Sequence, residues 1–201
     1  MTLERFYPIV ESAEWVGRMT GAGARLIQLR IKSTDSEHIR AEIRAAKEIC
    51  EKNNAQLIVN DHWQIALDEK CDFVHLGQED LAKANLRAIK KAGVKLGLST
   101  HSRAELARAL YSQPDYVALG PIFETSLKKM PWEPQGLDRI KDWKRLIGKL
   151  PLVVIGGITL ERAAKCLKAG ADSVAVVTDI VQADNPEQRA AAWIETTKQA
   201  A

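Results

Sequence analysis

The chain is poor in cysteine, has no long hydrophobic run and carries no excess of charge of one sign. Its three cysteines, Cys50, Cys71 and Cys166, are odd in number, far apart and without C-x-x-C spacing. A disulfide scaffold or a zinc site is therefore not expected, and a reducing compartment fits better. No apolar segment approaches the ~20 residues of a membrane helix. The opening MTLERFYPIVES has no signal-peptide run, so the expectation is a cytoplasmic protein without a membrane partner. Lys and Arg number 29 against 26 Asp and Glu, a net charge of +3 that is scattered along the chain. That balance does not imply nucleic acid, although local basic groups can hold a small anion. There is no G-x-G-x-x-G after the first apolar run and no G-x-S-x-G anywhere. The first absence counts against a dinucleotide-binding doubly wound sheet, and the second against a nucleophile-elbow hydrolase.

What the chain does have is a repeat. Short, nearly continuous apolar runs recur at 6–10, 24–30, 56–61, 73–77, 95–100, 116–121, 152–157 and 173–178. Runs of this length read as strands buried on both faces, as in parallel sheets. Between them lie segments with helical spacing, such as SEHIRAEIRAAKEICEKN, LAKANLRAIKKAG, RAELARALYSQ, LERAAKCLKAG and PEQRAAAWIETTKQ. Two of these end in Ala-Gly, at Ala92-Gly93 and Ala169-Gly170, a helix stop. Eight strands alternating with eight helical segments predict an α/β fold, a (β/α)8 TIM barrel occupying residues 1–201 as one domain. A doubly wound sheet is the alternative.

In such folds ligands sit at the C-terminal ends of the strands, so polar residues can be sorted by the end they occupy. Asp72, Asp115 and Asp172 precede strands and belong to the opposite face, where a turn or cap carboxylate is ordinary. The exits carry Gln28, Arg30 and Lys32; Asn60 and Asp61; His75, Gln78 and Asp80; Ser99 and His101; Thr125 and Lys128; Gly156 and Gly157; and Thr178. Arg30, Lys32 and Lys128 are cations suited to phosphate oxygens. Asp61 and Asp80, at the exits of adjacent strands, suit Mg2+ beside a polyphosphate. Taken alone, Asp61 reads equally well as the N-cap of the helix that follows. The glycine pair in IGGIT lets backbone approach a ligand, and the helix start behind it favours a monophosphate. Gly120 to Pro134, GPIFETSLKKMPWEP, is too long and too selectively polar for a simple turn, and its Trp132 is placed to cover a ligand.

QLRIK at 28–32, ND at 60–61, HLGQED at 75–80, GLSTH at 97–101, DYVALGPIFET at 115–125 with Lys128, IGGIT at 155–159 and AGADSVAVVTDI at 169–180 follow in an order and spacing that resemble the thiamine phosphate synthase family. The resemblance implies a (β/α)8 barrel that joins hydroxymethylpyrimidine diphosphate to a thiazole phosphate, with release of pyrophosphate. It implies that Gln28 and His75 border the pyrimidine. Arg30, Lys32, Ser99 and Lys128, the catalytic candidates, would hold the diphosphate together with Asn60. Asp61 and Asp80 would hold Mg2+, while Thr125, Gly157 and Thr178 would serve the thiazole phosphate. The implied chemistry is dissociative, which agrees with the lack of an obvious side-chain nucleophile or base. Catalysis then rests on stabilising the leaving charge and positioning the acceptor. The partners implied are small molecules, and the reading is compatible with a homo-oligomer.

Four positions depart from the family pattern: Leu127 replaces a hydroxyl, Arg162 stands where Asn is common, and Thr178-Asp179 replaces Ser-Ala. An added carboxylate beside a phosphate site is electrostatically awkward. A thiazole tautomerase branch resembles G-H-V-F after the sixth strand, with the His catalytic; Pro121 occupies that place here. A barrel that binds thiamine precursors without catalysis is the remaining alternative, against which stand the Asp61/Asp80 and Arg30/Lys32 sets.

Overall fold

The computed structural model describes residues 3–125 and 132–199. Leu127 and Lys128 lie outside the described residues. Eight strands, β1 (Phe6–Val10), β2 (Leu26–Leu29), β3 (Gln56–Asn60), β4 (Phe73–Leu76), β5 (Lys95–Thr100), β6 (Tyr116–Leu119), β7 (Leu152–Val154) and β8 (Ser173–Val176), pair in parallel in chain order. The circle closes where β8 returns to β1, with Phe6 opposite Val174 and Pro8 opposite Val176. The expected single-domain barrel architecture is the one observed.

Alternation along each strand divides the apolar residues into two cores. Tyr7, Ile9, Leu26, Ile58, Phe73, Tyr116, Ala118, Val153 and Ala175 point into the barrel. The residues between them, such as Val10, Ile27, Leu29, Val59, Val74, Leu98 and Val117, pack outward under the helices. Both faces are therefore buried, which is why the strands read as continuous apolar runs.

Helices α1 (Ala13–Gly21), α2 (Ser36–Lys52), α3 (Trp63–Asp68), α6 (Arg103–Tyr111), α7 (Gly136–Ile147), α8 (Leu160–Lys168) and α10 (Pro186–Gln199) form the outer ring. The link from β4 to β5 holds two short helices, α4 (Gln78–Lys83) and α5 (Leu86–Lys91), in place of the one helical segment expected. Asn85 causes the break, because its side chain accepts the Ala88 N–H at 3.0 Å and starts a new helix. A further short helix, α9 (Thr178–Val181), follows β8. Gly93 (φ 72°) and Gly170 (φ 110°) do occupy the left-handed positions after α5 and α8.

Two of the three aspartates at the far end fix strand register. Asp115 accepts the Leu96 N–H at 2.8 Å, and Asp172 accepts the Leu152 N–H at 2.7 Å and Lys144 Nζ at 2.6 Å. Each ties the start of its own strand to the start of the one before. No helix among the described residues is long and apolar enough to cross a membrane.

Candidate active site

A cavity of about 1250 Å³ opens at the C-terminal ends of the strands. Its floor is made by inward-facing positions whose side chains become polar as each strand leaves the core. Gln28 of β2, Asn60 of β3, His75 of β4 and Ser99 of β5 all line it, and the first three are buried. Register sets Asn60 opposite His75, and Ser99 opposite the inward-facing Ala118.

Beneath them runs a continuous polar chain. Gln28 Nε2 donates to Tyr7 Oη at 2.8 Å, and Tyr7 Oη lies 3.0 Å from Tyr116 Oη. Tyr116 Oη is 2.7 Å from His75 Nδ1, and His75 Nε2 is 2.8 Å from Ser99 Oγ. The ring of Tyr116 also stacks on that of His75, with centroids 5.5 Å apart. Burial pushes the His75 imidazole down to about 4, so it is neutral near pH 7, and it raises both phenols above the usual tyrosine range. This chain requires a glycine: a Cβ at Gly97 would fall 2.2 Å from Tyr116 Cζ. Ser99 is pinned from outside as well, since Gln78 Nε2 donates to its carbonyl at 2.6 Å and Arg108 donates to Gln78 Oε1 at 3.0 Å.

Arg30 and Lys32 line the same cavity on the loop leaving β2. Asp61 and Asp80 do not form part of its wall and are joined to it through Asn60, whose Nδ2 donates to Asp61 Oδ2 at 2.5 Å. Burial and then the charge of Asp80 beside it raise the pKa of Asp61, against the pull of the Asn60 amide and Arg30. The helix-cap reading of Asp61 does not hold. The N-cap of α3 is His62, without a side-chain cap bond, and Asp61 sits in the left-handed region at φ 61°. Asp tolerates that conformation better than most residues, and the turn presents its carboxylate to Asp80 rather than to the helix.

On the opposite side, Thr125, Gly156, Gly157, Arg162, Thr178 and Arg189 line the cavity. The glycine pair serves loop contact more than ligand approach. A Cβ at Gly156 would meet Pro121 Cα at 2.6 Å, and one at Gly157 (φ 60°) would meet the Glu124 carbonyl oxygen at 2.0 Å. The close approach lets Ile122 N donate to Ile155 O and Phe123 N donate to Gly156 O, anchoring the loop that leaves β6. At its far end Gln135 N donates to Pro121 O, and Trp132 stacks on His101 with ring centroids 5.7 Å apart. Arg162 caps the Gly157 carbonyl through Nη1 at 2.6 Å and lies over the Phe123 ring at 4.6 Å. Asp179 faces Arg189 and Trp193, so its charge is compensated within the protein.

The cavity thus gathers Gln28, Arg30, Lys32, Asn60, His75, Ser99, Thr125, Gly157 and Thr178 from the expected set. Asp61 and Asp80 stand as a neighbouring pair, and Lys128 lies outside the described residues. Sequence reasoning missed Tyr7, Tyr116 and Arg189. A tyrosine at an inward strand position needs a hydroxyl partner, and that signal was available at both tyrosines.

Residues 6–180 match the family model described as thiamine monophosphate synthase. The thiamine-phosphate synthase of Rhizobium etli is 55% identical over 197 residues, covering 98% of this chain and 97% of the relative. That of Neisseria meningitidis is 46% identical over 183 residues, covering 91% and 89%. Among solved structures, the thiamine phosphate pyrophosphorylase from Pyrococcus furiosus superposes with a TM-score of 0.87 at 25% identity, covering 98% of this chain and 96% of that one.

Proposed function

This chain belongs to the thiamine monophosphate synthase family, and we propose that its cavity joins hydroxymethylpyrimidine diphosphate to a thiazole phosphate, with pyrophosphate leaving before the thiazole nitrogen attacks. It is a transferase that makes thiamine phosphate. The observation that carries the finer reading is the division of one cavity into two ends. Amide, imidazole and hydroxyl groups with Arg30 and Lys32 occupy one, and the glycine-anchored loop with Thr125, Thr178 and two arginines occupies the other.

Gln28 and His75 bind and orient the pyrimidine. His75 is neutral and buried, with both ring nitrogens held by Tyr116 and Ser99, so it borders the pyrimidine without adding a charge next to a cationic fragment. Arg30, Lys32, Asn60, Ser99 and Lys128 take up the charge that grows on the departing pyrophosphate, the electrostatic term expected to dominate such a reaction. Thr125, Gly157 and Thr178 hold the acceptor phosphate, so the thiazole nitrogen meets the pyrimidine carbon without diffusing to it.

Asp61 and Asp80 fit Mg2+. Two neighbouring carboxylates beside a cation-lined cavity, with burial and the charge of Asp80 raising the pKa of Asp61, are a donor set that suits a hard ion completing its shell with water and substrate phosphate. When bound, the ion would supply further positive charge to the diphosphate.

The test is to incubate the purified protein with both substrates and Mg2+ while following thiamine phosphate and pyrophosphate. Formation of both in equal amounts is expected. Tight binding of the pyrimidine diphosphate without product would replace the reading with that of a precursor-binding barrel.

A further inference from the structure

The polar chain under the cavity has a direction, and that direction reaches Ser99. Gln28 Nε2 donates to Tyr7 Oη, so the Tyr7 proton must go elsewhere, and Tyr116 Oη at 3.0 Å is the neighbour that can accept it. Tyr116 then gives its own proton to His75 Nδ1 at 2.7 Å. A neutral imidazole that accepts at Nδ1 carries its proton on Nε2, which therefore donates to Ser99 Oγ at 2.8 Å. Ser99 lines the cavity, and its hydroxyl proton is left to point into it. Reversing the Gln28 amide would reverse each bond in turn, leaving Ser99 donating to His75 and presenting only lone pairs to the cavity.

We propose that Tyr7 and Tyr116 are positioning residues, which lock His75 in the Nε2–H form so that Ser99 is held as a hydrogen-bond donor to the leaving pyrophosphate. The proposal rests on the functional reading above and deepens it. It also couples the two ends of the pyrimidine substrate: the amide that borders the ring sets the polarity of the hydroxyl that meets the diphosphate. Neither tyrosine need touch the reacting atoms. Their contribution passes through His75 and lasts only while the chain is unbroken, which is why Gly97 must leave room for the Tyr116 ring. Such a donor acts mainly as charge develops on the leaving group, so its loss falls on kcat more than on KM.

The experiment is 15N NMR of the full chain labelled at histidine, near pH 7, with His75 assigned by its disappearance in His75→Gln. The wild-type protein should show His75 neutral and protonated at Nε2. Tyr116→Phe should lose that single-tautomer signature and lower kcat about tenfold, with KM for the pyrimidine diphosphate changed by less than about twofold. If Tyr116→Phe does not fold, Tyr7→Phe cuts the chain one link earlier and should lose the signature in the same way. A wild-type His75 protonated at Nδ1 overturns the proposal, as does a folded variant of either tyrosine with unchanged tautomer and unchanged kcat. The NMR arm needs no turnover, so a chain with the expected tautomer and no product would count against the proposed function and not against the relay.

Discussion

Asp179 on α9 and Arg189 on α10 form a two-pronged ion pair, with Arg189 Nε and Nη2 each donating to one carboxylate oxygen at 2.9 Å. Trp193 Nε1 adds a third donor to Asp179 at 2.6 Å. The pair is mostly shielded, with side-chain exposures of 15% and 28%. This answers the apparent conflict of a carboxylate beside the proposed phosphate site: Asp179 and Arg189 both line the cavity, and the charge of the one is compensated by the other.

Asp179→Asn should therefore act on stability and leave metal use alone. Losing the charge-assisted bonds to Arg189 should cost about 1–3 kcal/mol. Chemical denaturation checks the loss, and titration of Mg2+ against rate should match the wild type. A shifted metal dependence would mean that Asp179 belongs to the diphosphate end.

Gly97→Ala tests the space that the polar chain requires. The added Cβ would overlap Tyr116 Cζ, Cε1 and Oη, at 2.2, 2.3 and 2.6 Å. The ring must move, at an overpacking cost of about 1–3 kcal/mol or more, and the Tyr116 to His75 bond is lost with it. The expected outcome is a folded barrel of lower melting temperature and much reduced turnover. An unchanged melting temperature would mean that Tyr116 has room to spare.

The repeat, the strand ends and most of the cavity floor were legible because each rests on a local signal. Gln28, Asn60, His75 and Ser99 are polar residues at the end of apolar runs, and their position on a parallel strand gives their direction. What could not be read depends on pairs distant in sequence. Gly97 looks like any strand glycine until Tyr116 is placed beside it on β6. Asp179 looks like a charge in the phosphate site until α10 brings Arg189 across. Tyr7 and Tyr116 pass for core residues because a phenol ring packs as an apolar group, and only the neighbour at its hydroxyl tells otherwise. The glycine pair was legible as a close approach, but what approaches is the loop from β6.

Asp61 and Asp80 should show opposite effects on function and stability. Burial, and then the charge of Asp80 beside it, disfavour the charged form of Asp61. Asp61→Asn and Asp80→Asn should each lower Mg2+-dependent turnover by about a hundredfold or more, the several kcal/mol that a metal ion supplies to a developing anion. Neither should lower the melting temperature, because the like-charge contact is relieved. Wild-type rates in either variant would refute the metal assignment, and a marked loss of stability would show that the pair has a structural role.

His75 should leave its mark on stability as a function of pH. In the folded protein its pKa is pushed down to about 4 by burial, below the ordinary value of 6.5. Above pH 6.5 neither state protonates it and it adds no pH dependence. As the pH falls below that value the unfolded chain takes up a proton that the folded chain refuses, so stability declines. The decline ends near pH 4, where the folded state accepts the proton too, and the whole span amounts to roughly 3 kcal/mol. Asp61 works in the other sense, because a raised carboxyl pKa makes the folded state bind its proton first and gain stability as the pH drops. The difference between wild type and His75→Gln separates the two, since both proteins keep Asp61. Urea denaturation from pH 8 down to pH 4 should give a wild-type curve that falls away from the variant's below about pH 6.5; parallel curves would mean that His75 is protonated in the folded protein at the pH where a free histidine is.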